Sequence, residues 1–345
     1  MESLREELEL ITDNQHLTEE EASSALKKII DGKISPSQIA AFLTSMRQKG
    51  ETVEELTAFV QVMRDAAIKV DVDVTGAVDL CGTGGDASGT FNISTAAMFV
   101  VAGAGVHVLK HGNRSVSSKS GSADVLGALG VAYDLPATDV ETCFNQTGMA
   151  FMFAPLFHPA MKYVMPVRRE LGLRTFFNIL GPLMNPAGVK RQVMGAYSQE
   201  VAETAMGILA NLDTEDAITV YSRDGLDEFS TTDTSVFYRY MGDGDYSGLT
   251  HKASESGFRV ANLSDLQGGD AQTNARIIQN ILDNKATIPQ REIVVLNAAY
   301  GILVSGKVFT LDEAIAIASD SINSGNAALA LEKLITCTQD LKKGE

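Results

Sequence analysis

Apolar residues in the first 70 positions recur at three- and four-residue intervals, the spacing that gives a helix one buried face. After Ser35 the run Ile39, Phe42, Leu43 and Met46 is the clearest case. Thr18 with Glu21, Ser35 with Gln38, and Thr52 with Glu55 stand at capping-box spacing, in which the hydroxyl takes a first-turn N–H and the later side chain reaches back. Pro36 sits where a first-turn proline is tolerated. The pattern predicts a small all-helical unit over residues 1–72. Near Gly76 the period changes. Short apolar runs of β type, Val78-Asp79-Leu80-Cys81, Val106-His107-Val108-Leu109, 192–197 and 217–221, begin to alternate with helical stretches at 93–103, 122–130, 138–147, 199–211, 271–283, 291–304 and 311–323. Strands alternating with helices predict an α/β unit over 73–345, with a largely parallel sheet flanked by helices. In such sheets ligands gather at the carboxyl ends of the strands. The segment 240–257 has neither period and is predicted to be a variable surface loop; no internal repeat or low-complexity tract is present.

Composition narrows the classes. The chain has 345 residues, 45% hydrophobic and 21% charged, which suits a two-domain globular protein and not a disordered one. A net charge of -16 opposes an extended nucleic-acid surface, because phosphate backbones demand Lys and Arg. Local geometry still permits a small anionic ligand. Cys81, Cys143 and Cys337 lie far apart without zinc or redox spacing, which fits a reducing compartment. The acidic start lacks the apolar run of a signal peptide, and no stretch approaches the roughly 18 uninterrupted apolar residues of a membrane span. Cytoplasm is the expected location, with no membrane partner.

Two polar loops at strand ends carry the candidate chemistry. The first is Asp79-Leu80-Cys81-Gly82-Thr83-Gly84-Gly85-Asp86, followed by Thr90-Phe91-Asn92-Ile93-Ser94-Thr95. Its glycines let backbone N–H groups approach an anion, and the helix start behind them adds amides and hydroxyls. Neither a nucleotide P-loop nor a good dinucleotide fingerprint is present, and a Gly-rich turn by itself serves equally as a tight connection. The second loop, Lys110-His111-Gly112-Asn113-Arg114-Ser115-Val116-Ser117-Ser118-Lys119-Ser120-Gly121-Ser122-Ala123-Asp124, packs cations, amide and hydroxyls together, as a diphosphate would require. A solvated Ser-rich loop is the alternative, but two such loops after consecutive strands should converge.

Together these segments resemble those of the anthranilate phosphoribosyltransferases, in the nucleoside-phosphorylase-like phosphoribosyltransferase family. The resemblance continues through Phe153-Ala154-Pro155, His158-Pro159-Ala160-Met161-Lys162, Val167-Arg168-Arg169-Glu170-Leu171-Gly172, Arg174-Thr175-Phe176-Phe177-Asn178, Gly181-Pro182-Leu183, Asn185-Pro186-Ala187 and Asp224-Gly225-Leu226-Asp227-Glu228. It covers residues 79–230 densely. Two positions depart from the family pattern: Gly127, where Glu is frequent, and Tyr221-Ser222-Arg223, where a His-Gly pair is expected.

The resemblance implies a Mg²⁺-dependent transfer of ribose phosphate from phosphoribosyl pyrophosphate to anthranilate. It implies a phosphoribosyl pyrophosphate site at Gly82, Gly85, Asp86, Thr90, Asn92, Ile93, Ser94, Thr95, Lys110, His111, Gly112, Asn113, Arg114, Ser115, Val116, Ser117, Ser118 and Ser122. Anthranilate contacts fall on Gly82, Asn113 and Arg168, and metal ligands on Ser94, Asp227 and Glu228. A guanidinium suits the acceptor's carboxylate, and paired carboxylates suit Mg²⁺ that keeps phosphate oxygens and waters. No acid or base is assigned; packing or loop hydrogen bonding is the expected role of His107, His111 and His158. The resemblance also implies a homodimer, and a cleft between the α/β unit and a helical unit joined by part of 165–185. The rival readings are a pyrimidine nucleoside phosphorylase of the same fold and a non-catalytic nucleic-acid-binding relative.

Overall fold

The computed structural model describes residues 2–85, 88–115, 119–242 and 244–344. It opens with four helices: α1 (Arg5–Thr12), α2 (Glu19–Ile30), α3 (Pro36–Lys49) and α4 (Val53–Asp65). Thr18 and Thr52 form complete capping boxes with Glu21 and Glu55. Ser35 forms half of one: its hydroxyl accepts from Gln38 N, but the Gln38 side chain turns to Ser3 Oγ and Leu4 N, fastening the start of the chain to α3. Ile39, Phe42, Leu43 and Met46 are all buried, as the period predicts. Glu55 is fully buried, held by Lys49 at 2.8 Å and by the amides of Leu17 and Thr52.

The remainder runs β1 (Val78–Gly82), α5 (Ile93–Gly103), β2 (Val108–Gly112), α6 (Ser122–Ala128), α7 (Ala137–Thr147) and β3 (Met149–Phe153). Short helices α8 (Ala154–Phe157), α9 (Met165–Leu171) and α10 (Phe177–Leu180) follow, then β4 (Arg191–Gly195), α11 (Gln199–Ala210), β5 (Asp216–Ser222), β6 (Ser235–Tyr240) and β7 (Ser247–His251). Four helices complete it: α12 (Ala271–Leu282), α13 (Ile288–Val304), α14 (Leu311–Asn323) and α15 (Asn326–Lys343). The sheet order is β3-β2-β1-β4-β5-β6-β7, with the first five strands parallel and β6 and β7 antiparallel. The order turns back between β1 and β4, which places a crevice at the ends of those strands.

One apolar core joins α5, α13, α14 and α15 to one face of the sheet. A second joins the first four helices to α11, to Cys81 and Met194 of the other face, and to Phe176 and Phe177. Phe59 stacks on Phe176 at 4.6 Å, and Phe42 meets both edge-on, so residues 176–177 are built into the helical layer. The segment expected to be a surface loop at 240–257 contains β7. That strand is exposed over four of its five residues and so lacks the alternation that marks a half-buried one. Helix α15 was also hidden, because it starts after Gly325 with no side-chain cap. Among the described residues no helix is long and apolar enough to cross a membrane.

Candidate active site

Loop 1 leaves β1 through Gly82. Thr83 N donates to Gly195 O at 2.9 Å, and Thr83 Oγ1 accepts from Tyr197 N at 3.1 Å, tying the loop across to β4. Gly84 and Gly85 follow with φ of 63° and 74°, the left-handed region that side chains disfavour. This turn aims Gly84 N at Asp227 Oδ2, 3.0 Å away. A Cβ on Gly82 would stand 2.8 Å from the same oxygen. The anion that the glycine loop embraces in this structure is therefore a carboxylate of the protein itself.

The start of α5 repeats the arrangement. Asn92 makes no side-chain cap, and the Ser94 amide donates to Glu228 Oε1 at 3.1 Å. Ile93 and Thr95 are each 1% exposed, which leaves the backbone as their means of meeting a ligand. Lys110, on β2 and 2% exposed, runs beneath this helix start, donating to Leu80 O and, at 3.4 Å, to Ser94 Oγ. Its ammonium is thereby placed under loop 1 and in line with the Ser94 hydroxyl.

Loop 2 leaves β2 through Gly112 and is closed at its base by Asp124, whose Oδ2 accepts from Ser115 N at 3.0 Å and Gly121 N at 2.9 Å. Ser122 Oγ and Ala123 N both donate to Asn113 O. Arg114 lies to one side, hydrogen-bonded to the Tyr133 hydroxyl and 5.3 Å from the Phe153 ring. A Cβ at Gly127 would press on Tyr133 at 3.0 Å, so this departure leaves room for the aromatic bracket around Arg114. Asp86, Val116, Ser117 and Ser118 lie outside the described residues.

His111 turns away from loop 2 into the protein, with its ring 5.1 Å from that of His158. Burial pushes His111 down to about 3 and His158 down to about 4, so both are neutral at pH 7. His107 packs edge-on against Phe144. The His111 amide donates to Asp79 Oδ1, and Asn185 Nδ2 bridges Asp79 Oδ2 and Leu109 O at 2.8 and 2.9 Å. Burial raises the Asp79 carboxyl to about 6, against the opposing pull of Lys110. This buried knot fixes the root of loop 2 to the 181–187 segment.

On the helical side, Arg168 of α9 is half-buried. Its guanidinium donates to Asn178 Oδ1 at 3.3 Å and lies 5.4 Å from the Phe177 ring. Burial alone depresses it, and among the described residues no carboxylate forms an ion pair with it. A cation desolvated without an anion is an incomplete arrangement that a bound carboxylate would complete. Asn113 turns its Oδ1 to the Arg114 amide and shares no described hydrogen bond with Arg168. Arg174 reaches loop 1, donating to Gly85 O at 2.6 Å while its guanidinium stacks 4.3 Å from the Tyr197 ring.

Asp227 and Glu228 lie on the loop from β5 to β6, and residues with no sequence signal hold them there. Buried Ser222 donates to Glu228 O at 2.6 Å and shares a 2.7 Å contact with Ser235 Oγ. Ser222 belongs to the second departure from the family pattern, and here it is a fastener of the acidic loop. Asn297 of α13 brackets the next residue, accepting from Phe229 N at 3.0 Å and donating to Phe229 O at 2.9 Å. Gly195 is decisive: a Cβ there would lie 1.6 Å from Asp227 O.

The donor set fits Mg²⁺. Ser94, Asp227 and Glu228 offer only hard oxygens, brought to one place by the Gly84 and Ser94 amides. Among the described residues no cluster of three or more His, Cys, Asp or Glu could enclose a metal unaided. A shell completed by phosphate oxygens and water is the usual habit of Mg²⁺.

Comparison with known proteins gives two family matches. Residues 5–67 match the helical bundle domain of a glycosyl transferase family, and residues 74–328 match its a/b domain. The anthranilate phosphoribosyltransferase of Salinibacter ruber is 47% identical over 338 residues, covering 97% of this chain and 98% of its own. That of Pelotomaculum thermopropionicum is 49% identical, covering 99% of both. Among solved structures, the enzyme from Thermus thermophilus superposes with a TM-score of 0.89 at 36% identity, over 96% of this chain and 99% of its own. The Saccharomyces cerevisiae enzyme in complex with PRPP and Mg gives 0.89 at 26%, over 98% of both chains.

Proposed function

The chain belongs to the anthranilate phosphoribosyltransferase family, and from that premise we infer that it transfers the 5-phosphoribosyl group of phosphoribosyl pyrophosphate to the amine of anthranilate, releasing pyrophosphate, in tryptophan biosynthesis. The observation that carries this reading is the meeting of three loops in the crevice between β1 and β4. There, two carboxylates rest on the amides of Gly84 and Ser94 above the Lys110 ammonium.

In this reading the donor's phosphates take the amides of loop 1 and of the α5 start, with Gly82, Gly85, Thr90 and Asn92 to Thr95 around them. Gly112 to Ser115 and Ser122 cover them from loop 2, with the Lys110 ammonium beneath; the His111 ring, buried against His158, takes no part. Ser94, Asp227 and Glu228 would hold Mg²⁺, which when bound supplies Lewis-acid stabilisation to the departing pyrophosphate. The Lys110 ammonium and the aligned amides favour the same charge, preorganised and away from bulk water. Arg168 would hold the acceptor carboxylate, with Asn113 and the Gly82 backbone beside it, so that the amine faces the anomeric carbon. The bond from that carbon to the pyrophosphate oxygen breaks, the carbon–nitrogen bond forms, and the amine's surplus proton passes to solvent. An aromatic amine is neutral at pH 7, so positioning replaces a strong base. The division of the chain near residue 72, a homodimeric assembly and a cytoplasmic location complete the proposal; the last is supported by three free, buried cysteines.

The test is to mix protein, Mg²⁺, phosphoribosyl pyrophosphate and anthranilate, and to follow the loss of anthranilate fluorescence with stoichiometric pyrophosphate release. Phosphorolysis of thymidine or uridine without anthranilate consumption would overturn the reading.

A further inference from the structure

Asn274, in the first turn of α12, is 2% exposed and lies far from the reacting groups in sequence. Its Oδ1 accepts from Gly269 N at 2.7 Å, its Nδ2 donates to Asn92 Oδ1 at 2.9 Å, and Asn92 Nδ2 donates to Ser120 O at 3.1 Å. The two ends of this chain fix its direction. A backbone N–H can only donate and a backbone carbonyl can only accept, so neither amide can be flipped without facing donor to donor or acceptor to acceptor. Asn92 therefore spends its side chain on a bridge and not on capping α5, which agrees with the missing cap.

The surroundings reinforce the bridge. Phe91 N donates to Leu266 O, Gly268 N to Gly89 O, and Gln267 Nε2 to Ser88 O, while Thr90 and Gln267 form an antiparallel β-bridge. A Cβ on Gly268 would meet Asn274 Oδ1 and the Phe91 backbone at 2.7 Å. The segment before α12 thus forms a splint along loop 1, and the amide relay extends that splint to Ser120 at the end of loop 2.

We propose that Asn274 is a positioning residue for the sugar donor: through Asn92 it couples loop 1 to the end of loop 2, so that the two phosphate-facing loops are held as one unit. It touches neither substrate nor metal. The proposal rests on the reading of both loops as the donor site, and it assigns to the donor alone an effect that a general packing role would spread over both substrates.

Asn274→Asp is the discriminating change, because it preserves shape and acceptance from Gly269 but turns a carboxylate oxygen toward Asn92 Oδ1. The expected result is a rise of about tenfold or more in the KM for phosphoribosyl pyrophosphate, with the anthranilate KM nearly unchanged. Without substrates, trypsin should also cut faster after Lys119, an exposed residue next to the relay's end. Unchanged donor KM and cleavage would overturn the proposal, as would equal rises in both KM values with a lowered melting temperature. Should Asn274→Asp not fold, Asn92→Asp keeps acceptance from Asn274 and replaces the donation to Ser120 by a carboxylate oxygen facing that carbonyl. Faster cleavage after Lys119 in that variant supports the relay, and wild-type cleavage rejects it. Wild-type protein that consumes no anthranilate would reject the activity instead, and the cleavage comparison stands apart from that result.

Discussion

Helices α2 and α4 close their own N-termini, and helix α5 does not. At Thr18 and Thr52 the first-turn amides are satisfied by side chains three residues away, within the same turn. At α5 the Ser94 amide is satisfied by Glu228, 134 residues further along the chain. A local cap serves the helix alone. A cap lent by another loop leaves the amide with a partner that, in the proposed function, a phosphate oxygen would replace while the carboxylate turned to a cation. The scaffold helices are finished; the helix of the site is finished only provisionally.

The strongest way to break this contrast is to remove the loan. Replacing both Asp227 and Glu228 by Ala should lower kcat by roughly a hundredfold or more at a fixed Mg²⁺ concentration, and shift the Mg²⁺ titration of the rate to far higher concentrations. Superimposable titrations for variant and wild type would reject the metal role. Next in size, Arg168→Ala should raise the anthranilate KM about 10- to 150-fold, for a loss of roughly 1.5–3 kcal/mol. The donor KM should move much less, and equal changes in both would point to a structural defect. Gly195→Ala tests whether the loan depends on geometry. The new Cβ must displace Asp227, at a strain of about 1–3 kcal/mol, so the Mg²⁺ requirement should rise although both carboxylates remain. An unaltered Mg²⁺ titration would show that the carboxylates do not need that placement. Smallest is Thr52→Ala, which removes a finished cap: thermal unfolding should report a loss of about 1 kcal/mol with steady-state kinetics unchanged. A change in kcat there would erase the distinction between the two kinds of helix end.

What could be read from the chain follows the same line. Thr18, Thr52 and the Ile39–Met46 stripe were legible because their partners lie within a turn or two. Ser35 was legible by half, since Gln38 found Ser3 and Leu4 from another part of the chain. The two loops expected to take an anionic ligand stood out through glycine, Lys110 and hydroxyls, residues whose chemistry is unusual wherever they cluster. The residues that shape the site did not. Asp124 reads as one acid among many until Ser115 and Gly121 are seen on one of its oxygens. Gly195 reads as one residue inside the predicted strand 192–197 until Asp227 is found against its α-carbon. Asn297 and Asn274 sit in helices that periodicity predicted, yet each matters through backbone groups of a distant loop. Strand β7 escaped because an exposed edge strand has no alternation to detect.

The antiparallel pairing of β5 with β6 has a mechanical consequence. Loops 1 and 2 each pass from a strand into a helix, but the acidic loop leaves the sheet and returns to the neighbouring strand. It is pinned at its throat by Arg223 N on Thr234 O and by the Ser222–Ser235 contact, and pressed from behind by Asn297. Its carboxylates stand on a stiff anvil, so a ligand seated against them would meet a surface whose position is set by two paired strands and a helix.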